Sequence, residues 1–321
     1  MDYAEFTDEV SDLSDGVYAG LPIAPAPDDD DDDGDALPGA GEVAWRLWTN
    51  EHYDSDETFE RQFARFMSVV DSTEVKAIVI GCWDSPWEVG AELPIRLLAA
   101  NAGRFPALRS IFLGAITSEE CEISWIKQGD ITPLLRAFPR LERLEVRGGD
   151  GLELSPVRHE ALKVLRFESG GLPASVVRAV GDSDLPALEY LEIWLGTSDY
   201  GGDATVADMA SILSGERLPS LGHLGLQDSE IQDQVAEAVA SAPVVARLSS
   251  LSLAMGVFTD AGAEALLSGQ PLTHLRRLDL HHHYLGDDMI GRVVKALPGV
   301  EVDLSEQEKP DDDWRYIAVA E

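Results

Sequence analysis

The chain has 321 residues. That exceeds one ordinary single-core domain, which stops growing near about 250–300 residues, so two domains or one elongated array is expected. Apolar residues make up 45% and charged residues 26%, enough to bury a core, but 24 Lys+Arg against 59 Asp+Glu leave a net charge of −35. Nucleic acids and anionic membranes attract basic surfaces, so neither is an expected partner.

Residues 1–42 read as an acidic, largely flexible leader. They hold 14 acids and no Lys or Arg, so −14 of the −35 sits there. The run Asp28 to Asp33 follows Ala24-Pro25-Ala26-Pro27. Packed aspartates would repel one another and lose hydration, so 24–40 is expected to be a solvated tether. Solubility is the plain reading of such a run, and docking onto a basic partner is the other. Upstream, Val17-Tyr18-Ala19-Gly20-Leu21-Pro22-Ile23 is apolar enough to dock on the folded body. The N-terminus lacks the basic-then-apolar order of a secretion signal. No window reaches the ~18 uninterrupted apolar residues of a membrane span. A cytoplasmic location is therefore expected. Cys82 and Cys121 make no disulfide framework and should be reduced thiols.

Residues 43–74 read as an N-terminal cap. Val43-Ala44-Trp45-Arg46-Leu47-Trp48 is a candidate strand. Phe59, Phe63, Phe66 and Val70 share one face of a helix over 57–70, after Ser55-Asp56 as an N-cap pair.

From 75 to 299 one pattern recurs: apolar, two variable, apolar, one variable, apolar. The copies are Val75-Lys76-Ala77-Ile78-Val79-Ile80, Leu108-Arg109-Ser110-Ile111-Phe112-Leu113, Leu141-Glu142-Arg143-Leu144-Glu145-Val146 and Leu162-Lys163-Val164-Leu165-Arg166-Phe167. Then come Leu188-Glu189-Tyr190-Leu191-Glu192-Ile193, Leu221-Gly222-His223-Leu224-Gly225-Leu226, Leu248-Ser249-Ser250-Leu251-Ser252-Leu253 and Leu275-Arg276-Arg277-Leu278-Asp279-Leu280. Their starts lie 33, 33, 21, 26, 33, 27 and 27 residues apart. That motif at that period is the signature of leucine-rich repeats. A unit this small cannot bury its own apolar side, so neighbours stack into one core. The motif's end alternates with period two, as a strand does. Parallel strands need a crossover, which a helix supplies.

Helix signals lie between the motifs. Thr259-Asp260 precedes Ala263, Leu266 and Leu267, and Asp287-Asp288 precedes Ile290, Val293, Val294 and Leu297. Phe105-Pro106, Phe138-Pro139, Leu185-Pro186, Leu218-Pro219 and Leu297-Pro298 mark helix stops, because proline pushes the residue before it into extended geometry. The expected fold is α/β: a leucine-rich-repeat solenoid, or horseshoe, with a parallel concave sheet and convex helices. Residues 300–321 add a capping strand, Val300-Glu301-Val302-Asp303-Leu304, whose register is open by one residue. The tail Trp314-Arg315-Tyr316-Ile317-Ala318-Val319 is apolar enough to pack back.

These motifs make residues 75–304 resemble leucine-rich-repeat proteins of the ribonuclease-inhibitor-like class. The copy most like that class runs from Leu251 through Gly256, Thr259-Asp260 and Gly262 to Leu266. The class places Asn or Cys where the chain leaves the strand. This chain has Gly149, Gly170, Gly196, Ser229, Gly256 and His283 there, so the turn rests on glycine's freedom rather than a side-chain ladder. The segments Trp125-Ile126-Lys127-Gln128-Gly129-Asp130, Arg147-Gly148-Gly149, Glu168-Ser169-Gly170-Gly171 and Trp194-Leu195-Gly196 also resemble an uncharacterised family of bacterial cytoplasmic repeat proteins. That second resemblance implies a partner role in a small modification pathway.

In such a fold the third, fifth and seventh motif positions face the concave side. The first two repeats put Ala77, Val79, Gly81, Ser110, Phe112 and Gly114 there, an apolar patch that should not stay open to water. Either the 17–23 segment or the insert Glu120-Cys121-Glu122-Ile123-Ser124-Trp125-Ile126 is expected to cover it. The middle repeats supply Arg143, Arg147, Arg166, Glu168, Tyr190, Glu192 and Trp194, and the later ones His223 and His281. Arg, Tyr and Trp dominate binding hot spots, so these nine are the candidate partner-binding residues. The competing reading is that the arginines pair with Glu145, Glu168 and Glu192 across the sheet.

No catalytic, cofactor or metal residues are expected. His281-His282-His283 is a bare triplet without zinc-ligand spacing, and neither His52 nor His159 is tied by the sequence to Cys82. Gly148-Gly149-Asp150-Gly151 lacks the lysine of a phosphate loop. The expected function is therefore non-enzymatic: a scaffold binding a protein or peptide, a basic one favoured by the charge, on its concave face. The alternative is an accessory subunit that positions substrate for, or regulates, a partner enzyme.

Overall fold

The structure, a computed structural model, describes residues 16–27, 37–49, 58–312 and 314–321. Each motif forms a short strand beginning at its third residue. The series is β4 (Ala77–Ile80), β5 (Ser110–Leu113), β6 (Arg143–Arg147), β7 (Val164–Glu168), β8 (Tyr190–Gly196), β9 (His223–Ser229), β10 (Ser250–Ser252) and β11 (Arg277–Asp279). Before them stand β1 (Val17–Tyr18), β2 (Leu21–Pro25) and β3 (Ala44–Leu47), and after them β12 (Glu301–Asp303). Among the described residues these twelve strands make one open sheet whose spatial order is the sequence order. Every pairing is parallel except β1 with β2.

The register places the fourth motif residues in one row. Trp45, Ile78, Ile111, Leu144, Leu165, Leu191, Leu224, Leu251, Leu278 and Val302 stand side by side across ten strands. The open question at the closing strand is thereby settled, with Val302 beside Leu278. This row, and the sixth-position row of Leu113, Val146, Phe167, Ile193, Leu226 and Leu253, belong to the main apolar core. Burying one such side chain stabilises by about 1.5–3 kcal/mol, so the rows hold the units together.

Among the described residues eight α-helices cover that face: α1 (Phe59–Val69), α2 (Glu92–Ala100), α3 (Thr132–Ala137), α4 (Ala174–Asp182), α5 (Ala210–Ser214), α6 (Gln232–Val239), α7 (Asp260–Ser268) and α8 (Asp287–Ala296). Their apolar residues join the same core. Thr259 caps α7 by accepting from the Ala261 amide, as the sequence suggests. Helix α1 is capped by Thr58, one position before it begins; Ser55-Asp56 lie outside the described residues. The interval between β6 and β7, only 21 residues, holds no α-helix; its extended chain makes isolated bridges such as Arg158 with Asp184. No helix among the described residues is long and apolar enough to cross a membrane.

Two expectations need correcting. Ala24 and Pro25, assigned to a tether, form the end of β2, which pairs in parallel with β3. The hairpin that brings β2 there turns on Ala19 and Gly20 at φ +52° and +75°, the two left-handed positions of a tight primed turn. The Asp28–Asp33 run lies outside the described residues. The left-handed turn after the strands also sits one residue earlier than glycine placement suggests in four units. Gly148, Asp228, Met255 and His282 have φ +99°, +53°, +67° and +51°, ahead of Gly149, Ser229, Gly256 and His283. Gly196 keeps the expected left-handed position, at φ +71°, and answers a second need as well. A Cβ there would lie 2.0 Å from the Gly170 carbonyl oxygen, so the neighbouring loops could not stack.

Candidate functional site

The face away from the helices carries the odd motif positions. At its N-terminal end Tyr18, with Ala19, Leu21 and Ile23, packs on Ala44, Ala77, Val79, Phe112 and Ala115. The 17–23 segment therefore covers the apolar patch. The insert goes elsewhere: Ile123 packs on Trp194, Ala254 and Met255. Its Glu120 accepts from the indole of Trp48 and lies 3.6 Å from Arg46 Nη2.

The middle strands carry a continuous buried polar network. Arg143 Nε donates to Glu145 Oε1 at 2.5 Å. Arg166 donates to Glu168 and Glu192, and its Nη1 lies 3.8 Å from Glu145. Arg147 Nε donates to Glu168 Oε2 at 2.5 Å, and its Nη1 donates to the Ile116 carbonyl at 2.8 Å. Each guanidinium also lies over an aromatic ring: Arg143 over Tyr18 at 4.8 Å, Arg147 over Phe112 at 5.2 Å and Arg166 over Trp194 at 5.3 Å. Three arginines meet three glutamates, so the cluster is neutral within itself. Cross-strand pairing, the competing reading, describes Arg147 with Glu168 and Arg166 with Glu192, while Arg143 with Glu145 and Arg166 with Glu168 pair along one strand.

Glu192 is the junction. It accepts from Arg166, from the Tyr190 hydroxyl and from the Trp194 indole at 3.2 Å. The His223 ring stacks on Tyr190, with Nδ1 3.0 Å from Ser250 Oγ and Nε2 3.9 Å from Glu192.

Titration follows partner number. Burial alone would raise Glu192, but Arg166, with the Tyr190 hydroxyl donating to it, holds it below its usual value. Glu145 has fewer donors, and burial leaves it raised despite Arg143 and Arg166. Burial opposes the charge on Arg166, yet Glu168 and Glu192 outweigh it and hold the guanidinium well above its ordinary pKa. His223 is pushed down to about 4, chiefly by burial, so its ring is neutral at neutral pH.

Of the nine residues chosen from sequence, Arg143, Arg147, Arg166, Glu168, Tyr190, Glu192, Trp194 and His223 come together on β6 to β9, and all eight are buried. His281, past β11, belongs to a second group in which its Nδ1 lies 2.9 Å from Asp279 and Asp279 pairs with Arg277 at 3.0 Å. Sequence reasoning placed Tyr18 in the covering segment but did not put it against Arg143, a contact that depends on the hairpin. It left out Asp228, whose only signal is its 27-residue spacing from Met255.

The other candidate chemistry disperses. His282 Nε2 meets the Tyr316 carbonyl at 3.2 Å and His283 Nε2 meets the Leu304 carbonyl at 3.1 Å, while His281 turns to Asp279. His159 is taken up by the Phe138 carbonyl and the Leu162 amide, and His52 lies outside the described residues. Cys82 and Cys121 are buried free thiols, both pushed upward first by burial, Cys121 to about 11.

No family model and no curated protein matches the chain. A crystal structure of a Bacteroides fragilis protein, solved as a structural-genomics target, superposes with a TM-score of 0.78 at 30% sequence identity. The match covers 87% of this chain and 78% of that one. The chain belongs to the same family as that protein. Shared fold alone does not carry an activity from one member to another, so function has to be argued from the site.

Proposed function

We propose that the protein is a leucine-rich-repeat solenoid of the ribonuclease-inhibitor-like class, a horseshoe acting as a non-enzymatic protein- or peptide-binding scaffold through its helix-free face. One observation carries this reading: a network of three arginines and three glutamates is kept where the chain's own segments cover it. A permanently buried ion-pair cluster is commonly matched or bettered by apolar residues, by about 1–4 kcal/mol. A polar cluster on a sheet face is better suited to a surface that is uncovered when a partner arrives. The stacked Arg, Tyr and Trp groups are rigid and preformed, which lowers the entropy lost on association. The overall charge of −35 favours a basic partner by speeding encounter.

The test is co-purification from native cells with mass spectrometry, comparing the natural chain with Arg147→Ala/Trp194→Ala. Partner recovery should fall at least tenfold in the double variant, with far-UV circular dichroism unchanged. Unchanged recovery removes the reading. A recovered enzyme whose rate changes on binding would favour an accessory-subunit role over a passive scaffold.

A further inference from the structure

Residues 314–321 run along the ends of successive strands, crossing them one after another. The row that receives them is Asp228, Met255 and His282, spaced 27 residues apart, one per unit. All three hold left-handed backbone angles, which non-glycine residues adopt at a cost of about 1–3 kcal/mol each. Their amides still serve the unit-to-unit ladder, donating to the carbonyls of Ala254, His281 and Ser305 at 2.9, 2.9 and 3.1 Å. One further polar group of each meets the tail. His282 Nε2 lies 3.2 Å from the Tyr316 carbonyl, the Met255 carbonyl accepts from the Ala318 amide at 2.8 Å, and Asp228 Oδ1 accepts from the Val319 amide at 3.0 Å. Beyond them Ser124 Oγ donates to the Ala320 carbonyl and Tyr200 donates to Glu321.

The side chains alternate as in a bound strand. Ile317 is buried and Val319 packs on Ile123, Trp194, Ala254 and Met255, while Tyr316 and Ala318 face solvent. Main-chain hydrogen bonds with pockets for alternate side chains are how proteins bind extended peptides. The tail fills the groove incompletely. Asp228 is wholly buried, yet its Oδ2 has no hydrogen-bond partner among the described residues. Burial pushes the Asp228 carboxyl well above the usual carboxylate range, against the pull of the Val319 and Ala318 amides, so Oδ2 can itself carry the proton. An unmet buried polar atom is costly, so a ligand that hydrogen-bonds it gains over the tail.

We propose that this groove at the strand ends is a binding site for an extended segment of a partner protein, with residues 316–320 as its resident occupant in cis. The fitting segment carries aliphatic residues two apart and a hydroxyl side chain beside the second, in reach of Asp228. This deepens the scaffold reading and rests on it only in taking the ligand to be polypeptide. Only Ile317 of residues 314–321 is buried and the others are exposed or half-buried, so the tail belongs to the part of the molecule that opens most readily.

The probe is a fluorescein-labelled peptide with the sequence of 314–321, followed by fluorescence anisotropy on the full chain. The natural chain should bind it weakly, because its own tail competes. A full-length chain carrying Ile317→Asp and Val319→Asp should bind at least tenfold more tightly. A peptide with Asp at the Val319 position should bind neither. Serine at the Ala320 position should tighten binding severalfold, and equal affinity would remove the requirement for a hydrogen bond to Asp228. Adding Gly170→Ala to the tail-disabled chain should abolish binding, because the new Cβ would lie 2.1 Å from the place of the Ala320 carbonyl oxygen. Equal absence of binding to both chains would overturn the proposal. So would amide exchange at Ala318 and Val319 as slow as in β8 and β9. Loss of partner recovery in Arg147→Ala/Trp194→Ala with no peptide binding would leave the scaffold reading standing and this one fallen; the reverse pair of results would do the opposite.

Discussion

The rings of Tyr190 and His223 lie face to face, 4.1 Å between centroids and 6° from parallel, on adjacent strands. That stack buries the imidazole, and burial is the main reason its pKa falls to about 4. The unfolded chain binds the proton near the ordinary value of about 6.5. Between those values the unfolded state holds more protons than the folded one, so folded stability rises with pH across the window and falls as pH drops from about 6.5 towards 4. The contribution reaches at most about 1.4 kcal/mol per pH unit. Urea midpoints measured from pH 7 to 4 should fall more steeply for the natural chain than for His223→Gln. Parallel curves would show that the stack does not set this titration.

Arg166 is bonded to Glu168 and Glu192 and lies near Glu145. Arg166→Met leaves those carboxylates buried together, and breaking a buried pair by removing one partner costs about 3–5 kcal/mol. Arg158, 67% exposed and paired with Glu160 and Asp184, is the comparison. Arg158→Ala should shift the midpoint far less, because water and salt screen such pairs. Urea unfolding of both variants checks the difference, and equal losses would mean that Arg166 acts through packing alone.

Tyr18 packs on the apolar patch and lies 5.9 Å from the Phe112 ring. Tyr18→Ala should destabilise by about 3 kcal/mol, the scale for losing a buried aromatic. It should also expose Val79 and Phe112, raising the fluorescence of an apolar dye added to the folded protein. Unchanged dye binding would show that other residues hold the cover in place.

Both cysteines are buried, and their thiols are pushed away from the reactive thiolate form. In native buffer at pH 8 neither Cys82 nor Cys121 should react with a thiol-specific chromogenic disulfide within minutes. Both should react at once in denaturant. Fast labelling of Cys121 in the native protein would show that the 117–126 insert opens.

Much of the sheet was legible because its information is local. The spacing of Leu141, Leu144 and Val146, repeated at Leu162, Leu165 and Phe167, defines a strand and its buried side without reference to any other part of the chain. Stacking such strands in order then puts Arg143, Arg147, Arg166 and Trp194 on one surface. The burial of that surface was not legible, and neither was the pairing of the arginines as against their exposure. Two readings stayed open because the alternation says which face a side chain takes but not what lies over it.

The repeat spacing by itself determined which residues share a row, because period-two alternation and side-by-side stacking follow from short-range geometry. Only the tertiary structure decided what crosses those rows. Val319 meets Asp228 from 91 positions away, and Ser124 meets Ala320 from 196. Contacts at such separations depend on where folded units place distant segments, and no local pattern records that.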